Sequence, residues 1–366
     1  MRRLLRSLLL RPVLWASAKF SSRPKRELIF KALTKLYDTI RSDPGKRGLV
    51  IPLQKDTARV IIFSDQHKGG KDGSDDFILA EPNYLAALEY YQKNNFTYIS
   101  MGDCEELWEN TLTKVKKSNA ASFEAERKFL AGNRFIKIFG NHDLYWDNDP
   151  FSWWQLKDIY KEKVKVYEGA ILRVGDGEKA IDIFCTHGHQ GDASSDGNWF
   201  SKFFVARIWG PLQAYLLINP NTPAYDIGKK SLHNDMMYQW SSQQKNILLI
   251  TGHTHQPVFT SLTHLERLYK SFQFAEKEKD TATVLAIQAE IRKRESDFAA
   301  VALDYMSMIP SYFNSGCCCY TDGDITGIEI DQGWLRLIKW KLKDESPQRE
   351  VLEEVTLEKL LQDLGW

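Results

Sequence analysis

Five times between Arg59 and His255, a short run of β-branched and aromatic residues ends abruptly in a cluster of Asp, His, Asn and Gly. The runs are Arg59–Phe63, Phe96–Met101, Arg134–Phe139, Ile181–Cys185 and Asn246–Ile250, and the clusters are SDQH, GDCEE, GNHD, THGHQGD and TGHTH. Runs this short and this continuously apolar predict strands buried on both faces. Pro82 to Lys93 predicts a helix with proline in its first turn, and Ala121 to Ala131 predicts another before the third run. Strand alternating with helix makes an α/β domain. In open α/β sheets ligands bind just beyond the carboxyl ends of the strands, where all five clusters fall.

The remaining segments frame this pattern. Leu28 to Ile40 has helical spacing and stops at the turn Asp43-Pro44-Gly45. Leu144 to Tyr160 carries Trp146, Trp153 and Trp154, and an aromatic insertion spans 197–237. A helical hairpin is expected over 261–305, where Val284, Ile287, Ile291 and Phe298 recur at helical intervals. These aromatic and apolar stripes either pack into a core or form a lid over the site. Tyr312 to Tyr320 and Thr326 to Trp340 return to strand character, and Thr356 to Leu364 predicts an amphipathic helix. The expected division is a basic helical segment at 1–48, one large domain at 49–345 and a C-terminal helix at 346–366.

Lys and Arg total 49 against 48 Asp and Glu, so overall charge makes no case for a nucleic-acid partner. The asymmetry is local: no acidic residue precedes Glu27, while Arg2, Arg3, Arg6, Arg11, Lys19 and Arg23 are basic. Arg6, Arg11 and Pro12 interrupt the apolar core that a secretory signal needs, although Ala16-Ser17-Ala18 resembles a cleavage site. A transit peptide fits the composition. So does a basic amphipathic helix, with Leu5, Leu8 and Leu9 on one face, lying on an anionic membrane or docked on its own domain. No segment reaches the ~18 apolar residues of a membrane span. The five cysteines include no CxxC pair, which points to a reducing compartment. Cys317, Cys318 and Cys319 are contiguous; in a strand they would alternate faces, so core packing is expected of them rather than one shared ion.

The clusters hold the inventory of a binuclear hydrolytic site. Cleaving a phosphate ester requires an activated water and relief of charge on the phosphoryl oxygens, and two divalent ions ~3.5–4 Å apart supply both. Asp65 and His67, like His253 and His255, are separated by one residue and so point the same way in extended chain. Asp103 follows a glycine that permits a tight turn and is a candidate bridge. Asn141 offers an amide oxygen and His187 another imidazole. Six of the eight histidines lie inside these clusters. Each cluster alone is as well explained by a capped turn; their conjunction, in order and each after a strand, is not.

The series DQH, GDCEE, GNHD, THGH and GHTH resembles the calcineurin-like metallophosphoesterase family from about Arg59 to His255, and NSG at Asn314–Gly316 resembles the strand that follows that family's last motif. The resemblance implies two packed mixed β-sheets flanked by helices, a four-layer αββα arrangement, here with helical insertions. It implies a first metal on Asp65, His67, His255 and the bridging Asp103, and a second on Asp103, Asn141, His187 and His253. Manganese is expected foremost, with iron, zinc or cobalt also suited to mixed nitrogen and oxygen donors. His142 is implied to be no ligand but to stabilise the transition state or protonate the leaving oxygen, with Asp143 orienting it. A metal-bridging hydroxide would attack phosphorus in line. His189 is left as a substrate contact, and the residues after Asp103, Cys104 to Glu106, are read as a neutral departure from the family pattern.

Within the family the layout is most similar to the UDP-2,3-diacylglucosamine hydrolase branch, which implies pyrophosphate cleavage in an acylated sugar nucleotide. It departs from that branch at His142, where the branch has Arg, and in the helical hairpin after GHTH. Cyclic-nucleotide or nucleic-acid phosphodiesterase, phosphomonoesterase and non-catalytic interaction module are the rival readings on the same fold. The lack of a basic patch interleaved with aromatics argues against nucleic acid, and the complete ligand set argues against the module. The expected partners are a phosphorylated small-molecule or lipid-like substrate and, through the N-terminal segment, a membrane surface; the expected location is cytoplasmic, peripheral at the membrane.

Overall fold

All five runs are strands in the computed structural model of the protein, which describes residues 25–72, 75–175, 177, 180–191, 227–294 and 307–365. The chain begins with α1 (Arg26–Ser42), β1 (Gly48–Leu53), β2 (Arg59–Phe63), α2 (Glu81–Lys93), β3 (Thr97–Met101), α3 (Leu112–Ser118), α4 (Ala120–Arg127) and β4 (Phe135–Ile138). It continues through α5 (Tyr145–Asn148), α6 (Ser152–Tyr160), β5 (Val166–Tyr167), β6 (Gly169–Val174), β7 (Ile181–Thr186), α7 (Ile227–Ser242) and β8 (Ile247–Thr251). The last part holds β9 (Val258–Phe259), β10 (Leu262–Thr263), α8 (His264–Lys277), α9 (Thr281–Arg294), β11 (Tyr312–Asn314), β12 (Ile325–Asp331), β13 (Trp334–Lys343), β14 (Ser346–Thr356) and α10 (Leu357–Asp363).

The strands form two mixed sheets of seven, in the orders β1-β6-β7-β8-β11-β9-β10 and β14-β13-β12-β2-β3-β4-β5. Strands β2, β3, β4 and β5 run parallel in the second sheet, as β7, β8 and β11 do in the first. Alternation of side chains along each strand makes the layers. Val60, Ile62, Ile99 and Ile138 face Leu172, Ile183, Leu248 and Ile250 between the sheets. The intervening residues Ile61, Phe63 and Tyr98 face outward onto Tyr84, Leu88 and Tyr91 of α2. On the far side Ile171, Phe184 and Leu249 pack on Leu33 and Ile40 of α1 and Trp240 of α7. Both faces of both sheets are therefore covered, which is why the strands read as nearly continuous apolar runs. The four-layer αββα expectation holds.

Several boundaries differ from the expected ones. Helix α1 is a wall of the sandwich core rather than part of a separate leader. Strands β1, β5 and β6 were not expected: Pro52 weakens the strand signal of β1, which tolerates it as an edge strand, and β5 has only two residues. The run from Thr326 to Trp340 is two antiparallel strands turning at Gln332-Gly333. Residues 346–356, expected as helix, form the edge strand β14, whose polar, largely exposed sequence carries little strand pattern. The hairpin insertion is present as α8 and α9, with a capping box at Thr263 and Glu266. The basic leader, most of the aromatic insertion and the end of the expected hairpin with Phe298, residues 1–24, 192–226 and 295–306, lie outside the described residues. No helix among the described residues is long and apolar enough to cross a membrane.

Candidate active site

The parallel strands bring their carboxyl ends to one edge, where loops from the two sheets meet. SDQH, GDCEE and GNHD follow β2, β3 and β4 of one sheet; THGH, GHTH and NSG follow β7, β8 and β11 of the other. These loops turn sharply: Asp65, His67, Asp103, His253 and His255 all adopt left-handed backbone, with φ between 49° and 69°. Such conformations strain non-glycine residues and cluster where side chains must be aimed. Gly102 (φ 84°) lies so close to the His187 ring that an added Cβ would sit 2.5 Å from it. At Gly140 the same atom would fall 2.2 Å from Asp103 Oδ1. The glycines let the loops close on one another.

Six of the seven expected ligands converge, and the seventh, Asn141, stands between Gly140 and His142, both of which lie against Asp103. On one side His67 Nε2 lies 3.2 Å from His255 Nε2, 4.0 Å from Asp65 Oδ1 and 3.9 Å from Asp103 Oδ2. His255 Nε2 is also 3.2 Å from Asp65 Oδ1. On the other side Asp103, His187 and His253 bring one donor atom each within 4.8 Å of one another. Buried beside them, Asn141 Oδ1 has no hydrogen-bond partner among the described residues. Asp103 serves both sides. Its Oδ1 accepts the backbone N–H of His142 at 2.8 Å, which leaves Oδ2 between His67 and His187. The backbone N–H of His253 anchors Asp65 in the same way, at 3.0 Å.

The donors fit divalent cations. His187 Nδ1 donates to the carbonyl of Met101 at 3.1 Å, so the neutral ring carries its lone pair on Nε2, 3.1 Å from Asp103 Oδ2. Two acceptors that close need a proton or a cation between them, and roughly 3 Å is the separation of two ligands each ~2.1 Å from one ion at about a right angle. Protonation tells the same story. Burial opposes charge on His67, His187 and His255, yet neighbouring carboxylates raise His67 to about 10 and His187 to about 9, and Cys317 together with Asp65 raises His255 to about 9. Burial likewise opposes ionisation of Asp103, but the His187 and His142 rings hold it well below the usual carboxylate range. His253 is pushed the other way by burial and by His233 and His187, which keeps its ring neutral and able to donate.

His142 and Asp143 do not pair as expected. The Asp143 carboxylate accepts the backbone N–H groups of Cys104 (2.8 Å) and Gly140 (2.5 Å), clipping the GDCEE loop to the GNHD loop. The partner of His142 is Glu106, whose Oε2 lies 2.7 Å from His142 Nδ1 and 2.8 Å from His67 Nδ1. Trp108 stacks on the His142 ring, 4.0 Å between centroids and 18° from parallel. The segment after Asp103 is thus not neutral. Glu105 and Glu106 split, as consecutive residues of extended chain do: Glu106 turns into the site and Glu105 turns away from it.

Behind the site Glu105, Lys68, Lys137 and Glu126 form a fully buried group. Glu105 accepts from Lys137 Nζ at 2.9 Å and Trp146 Nε1 at 2.8 Å, and lies 3.1 Å from Lys68 Nζ. Glu126 takes Lys68 and the Tyr84 and Tyr160 hydroxyls. A lysine inside the run Phe135–Ile138 was the visible signal for this network. His189 is also drawn in, its ring 5.5 Å from that of His187. His233 of α7, outside every cluster, lies 5.0 Å from His253 and hydrogen-bonds the Gly188 carbonyl at 2.8 Å. On the other flank Asn314 of NSG donates to the Gly252 carbonyl at 2.7 Å and braces the GHTH turn. All five cysteines are buried thiols, and Cys319 Sγ lies 3.7 Å from His255 Nδ1.

A family model described as calcineurin-like phosphoesterase matches residues 58–257, more than half of the chain and the whole span of the five clusters. Among solved structures, vacuolar protein sorting 29 from Cryptosporidium parvum is similar at 11% identity, over 82% of this chain and 98% of that one, with a TM-score of 0.33. No curated protein matches the sequence.

Proposed function

The chain belongs to the calcineurin-like phosphoesterase family, and from that premise we infer that it hydrolyses a phosphoester or pyrophosphate with two divalent cations. Asp65, His67, His255 and Asp103 would hold the first; Asp103, Asn141, His187 and His253 would hold the second. The observation that carries this reading is Asp103, a buried carboxylate anchored on one oxygen and presented by the other to imidazoles on both sides. When bound, the cations neutralise phosphoryl oxygens and acidify a water; manganese fits the donor set, as do iron, zinc and cobalt.

The chain's own residues supply the remaining chemistry. Glu106 fixes His142 through Nδ1 and leaves Nε2 to hold a proton for the leaving oxygen, as a general acid must. Trp108 and the edge of His67 confine that ring. Because Glu106 also holds His67, one carboxylate ties the acid to a metal ligand. Asp143 supports the acid only by fastening its loop.

The substrate class we favour is an acylated sugar nucleotide at a membrane surface. Its support is the motif layout and the basic leader, not the described site. The test is purified protein with manganese, assayed on a generic phosphodiester and on such a pyrophosphate, beside Asp103→Ala. Hydrolysis lost in a folded Asp103→Ala supports the shared-carboxylate reading, and retained turnover overturns it. Absence of UMP among the products overturns the sugar-nucleotide assignment alone.

A further inference from the structure

We propose that Cys319 is a positioning residue for the first cation: its sulfur accepts the Nδ1–H of His255 and so aims Nε2 at Asp65 and His67. This rests on the metal reading above and adds a residue to it. The imidazole has two ends, and the structure assigns them different neighbours. Nε2 faces Asp65 Oδ1 and His67 Nε2, both at 3.2 Å. Nδ1 faces the Cys319 sulfur at 3.7 Å, within reach of a hydrogen bond to sulfur.

A histidine that binds a metal through one nitrogen needs an acceptor on the other, which sets the tautomer and the ring's orientation. Two of the other ligand imidazoles have such acceptors. Glu106 takes Nδ1 of His67 at 2.8 Å, and the Met101 carbonyl takes Nδ1 of His187 at 3.1 Å. For His255 the atom in that place is sulfur, a weaker acceptor than either.

The segment around the thiol is built to hold it there. The backbone N–H of Cys318 donates to the Asp65 carbonyl at 3.1 Å, and the Tyr320 hydroxyl donates to the His255 carbonyl at 3.2 Å. Residues on both sides of Cys319 are therefore tied to the two loops that carry Asp65 and His255. Cys319 itself is buried at 7% exposure. Core packing explains that the thiol is buried, but not that it sits on Nδ1 of a ring whose Nε2 meets Asp65 and His67.

The test is zinc affinity, measured by chelator competition on the full chain, with Cys319→Ala compared with Cys318→Ala, whose thiol donates to the Thr326 carbonyl instead. Loss of an outer partner of this kind weakens metal binding by about 10–100-fold. We expect that loss in Cys319→Ala, unchanged affinity in Cys318→Ala, and unchanged thermal unfolding of the metal-free proteins. In zinc-loaded protein labelled with nitrogen-15 at histidine, the exchange-protected Nδ1–H signal of His255 should disappear in Cys319→Ala only. Wild-type affinity in Cys319→Ala, or a surviving signal, overturns the proposal. A sulfur-to-metal charge-transfer band in the cobalt-loaded wild type also overturns it, because the sulfur would then be a ligand. A wild type that binds no zinc sinks the metal reading itself.

Discussion

Replacing Glu105 by glutamine removes one negative charge from a group of four that no water reaches. Two buried lysines, Lys68 and Lys137, would then share the single carboxylate of Glu126, which already accepts two tyrosine hydroxyls. Breaking a buried pair from one side costs about 3–5 kcal/mol, because the abandoned charge stays buried. Protonation yields a similar figure. Burial works against ionised Glu105, but Lys137 and Lys68 bring its pKa from 4.5 to about 2; at ~1.4 kcal/mol per unit that is about 3 kcal/mol. A depressed carboxyl stabilises the fold above its unfolded pKa, and the contribution fades as pH falls through its folded one. The difference between wild type and Glu105→Gln should therefore be constant from roughly pH 8 to 5 and shrink below about pH 4. Denaturant unfolding of the metal-free proteins measures it, and melting should fall by roughly 5 °C. The double variant Glu105→Met, Lys137→Met leaves Lys68 and Glu126 as a balanced pair and should recover most of the loss, since apolar replacement of a buried pair is close to neutral. A loss under about 1 kcal/mol, or a double variant no better than the single, refutes this account.

Other expectations follow from the same geometry. Glu106→Gln should lower turnover by about 100-fold and weaken metal binding together, because it serves both His142 and His67; a change in only one shows that the two functions are separable. Asp143→Asn should act through stability and loop order rather than the alkaline limb of the pH profile, which reports loss of the general acid's proton, and a displaced alkaline limb would restore the direct His142–Asp143 pairing. Metal affinity should rise with pH up to about 9–10, since His67, His187 and His255 must each release a proton to bind; calorimetry in buffers of different ionisation enthalpy counts those protons, and pH-independent binding contradicts the assignment. Gly102→Ala should disturb the second group more than the first, because the new methyl meets the His187 ring; selective loss of one of two bound cations is the readout.

The strands were legible because both faces of both sheets are covered, so burial wrote itself into five nearly continuous apolar runs. The ligands were legible because each stands at the end of such a run, and glycines mark where the chain doubles back. What escaped was direction. Nothing in GDCEE tells which glutamate turns inward; that depends on the bridge pairing Lys68 with Glu105, a partner 37 positions away. His233 carries no local motif and reaches the cluster only because α7 packs across the first sheet. The family resemblance implied that Asp143 orients His142, whereas the backbone turn sends its carboxylate to two N–H groups instead. The polar edge strand β14 looked helical because an edge strand has little apolar face to alternate.

Each cation position would draw donors from both sheets: Asp65, His67 and Asp103 stand against His255, and Asp103 and Asn141 against His187 and His253. Ion binding would thus act as a clasp across the seam of the sandwich, and its free energy would be added to the cohesion of two halves otherwise joined by greasy contact. At ion levels a hundredfold above the dissociation constant that clasp is worth about 2.7 kcal/mol. Chelation should accordingly loosen the molecule from the catalytic rim inward, with hydrogen exchange quickening first at the tips of β2, β3, β7 and β8.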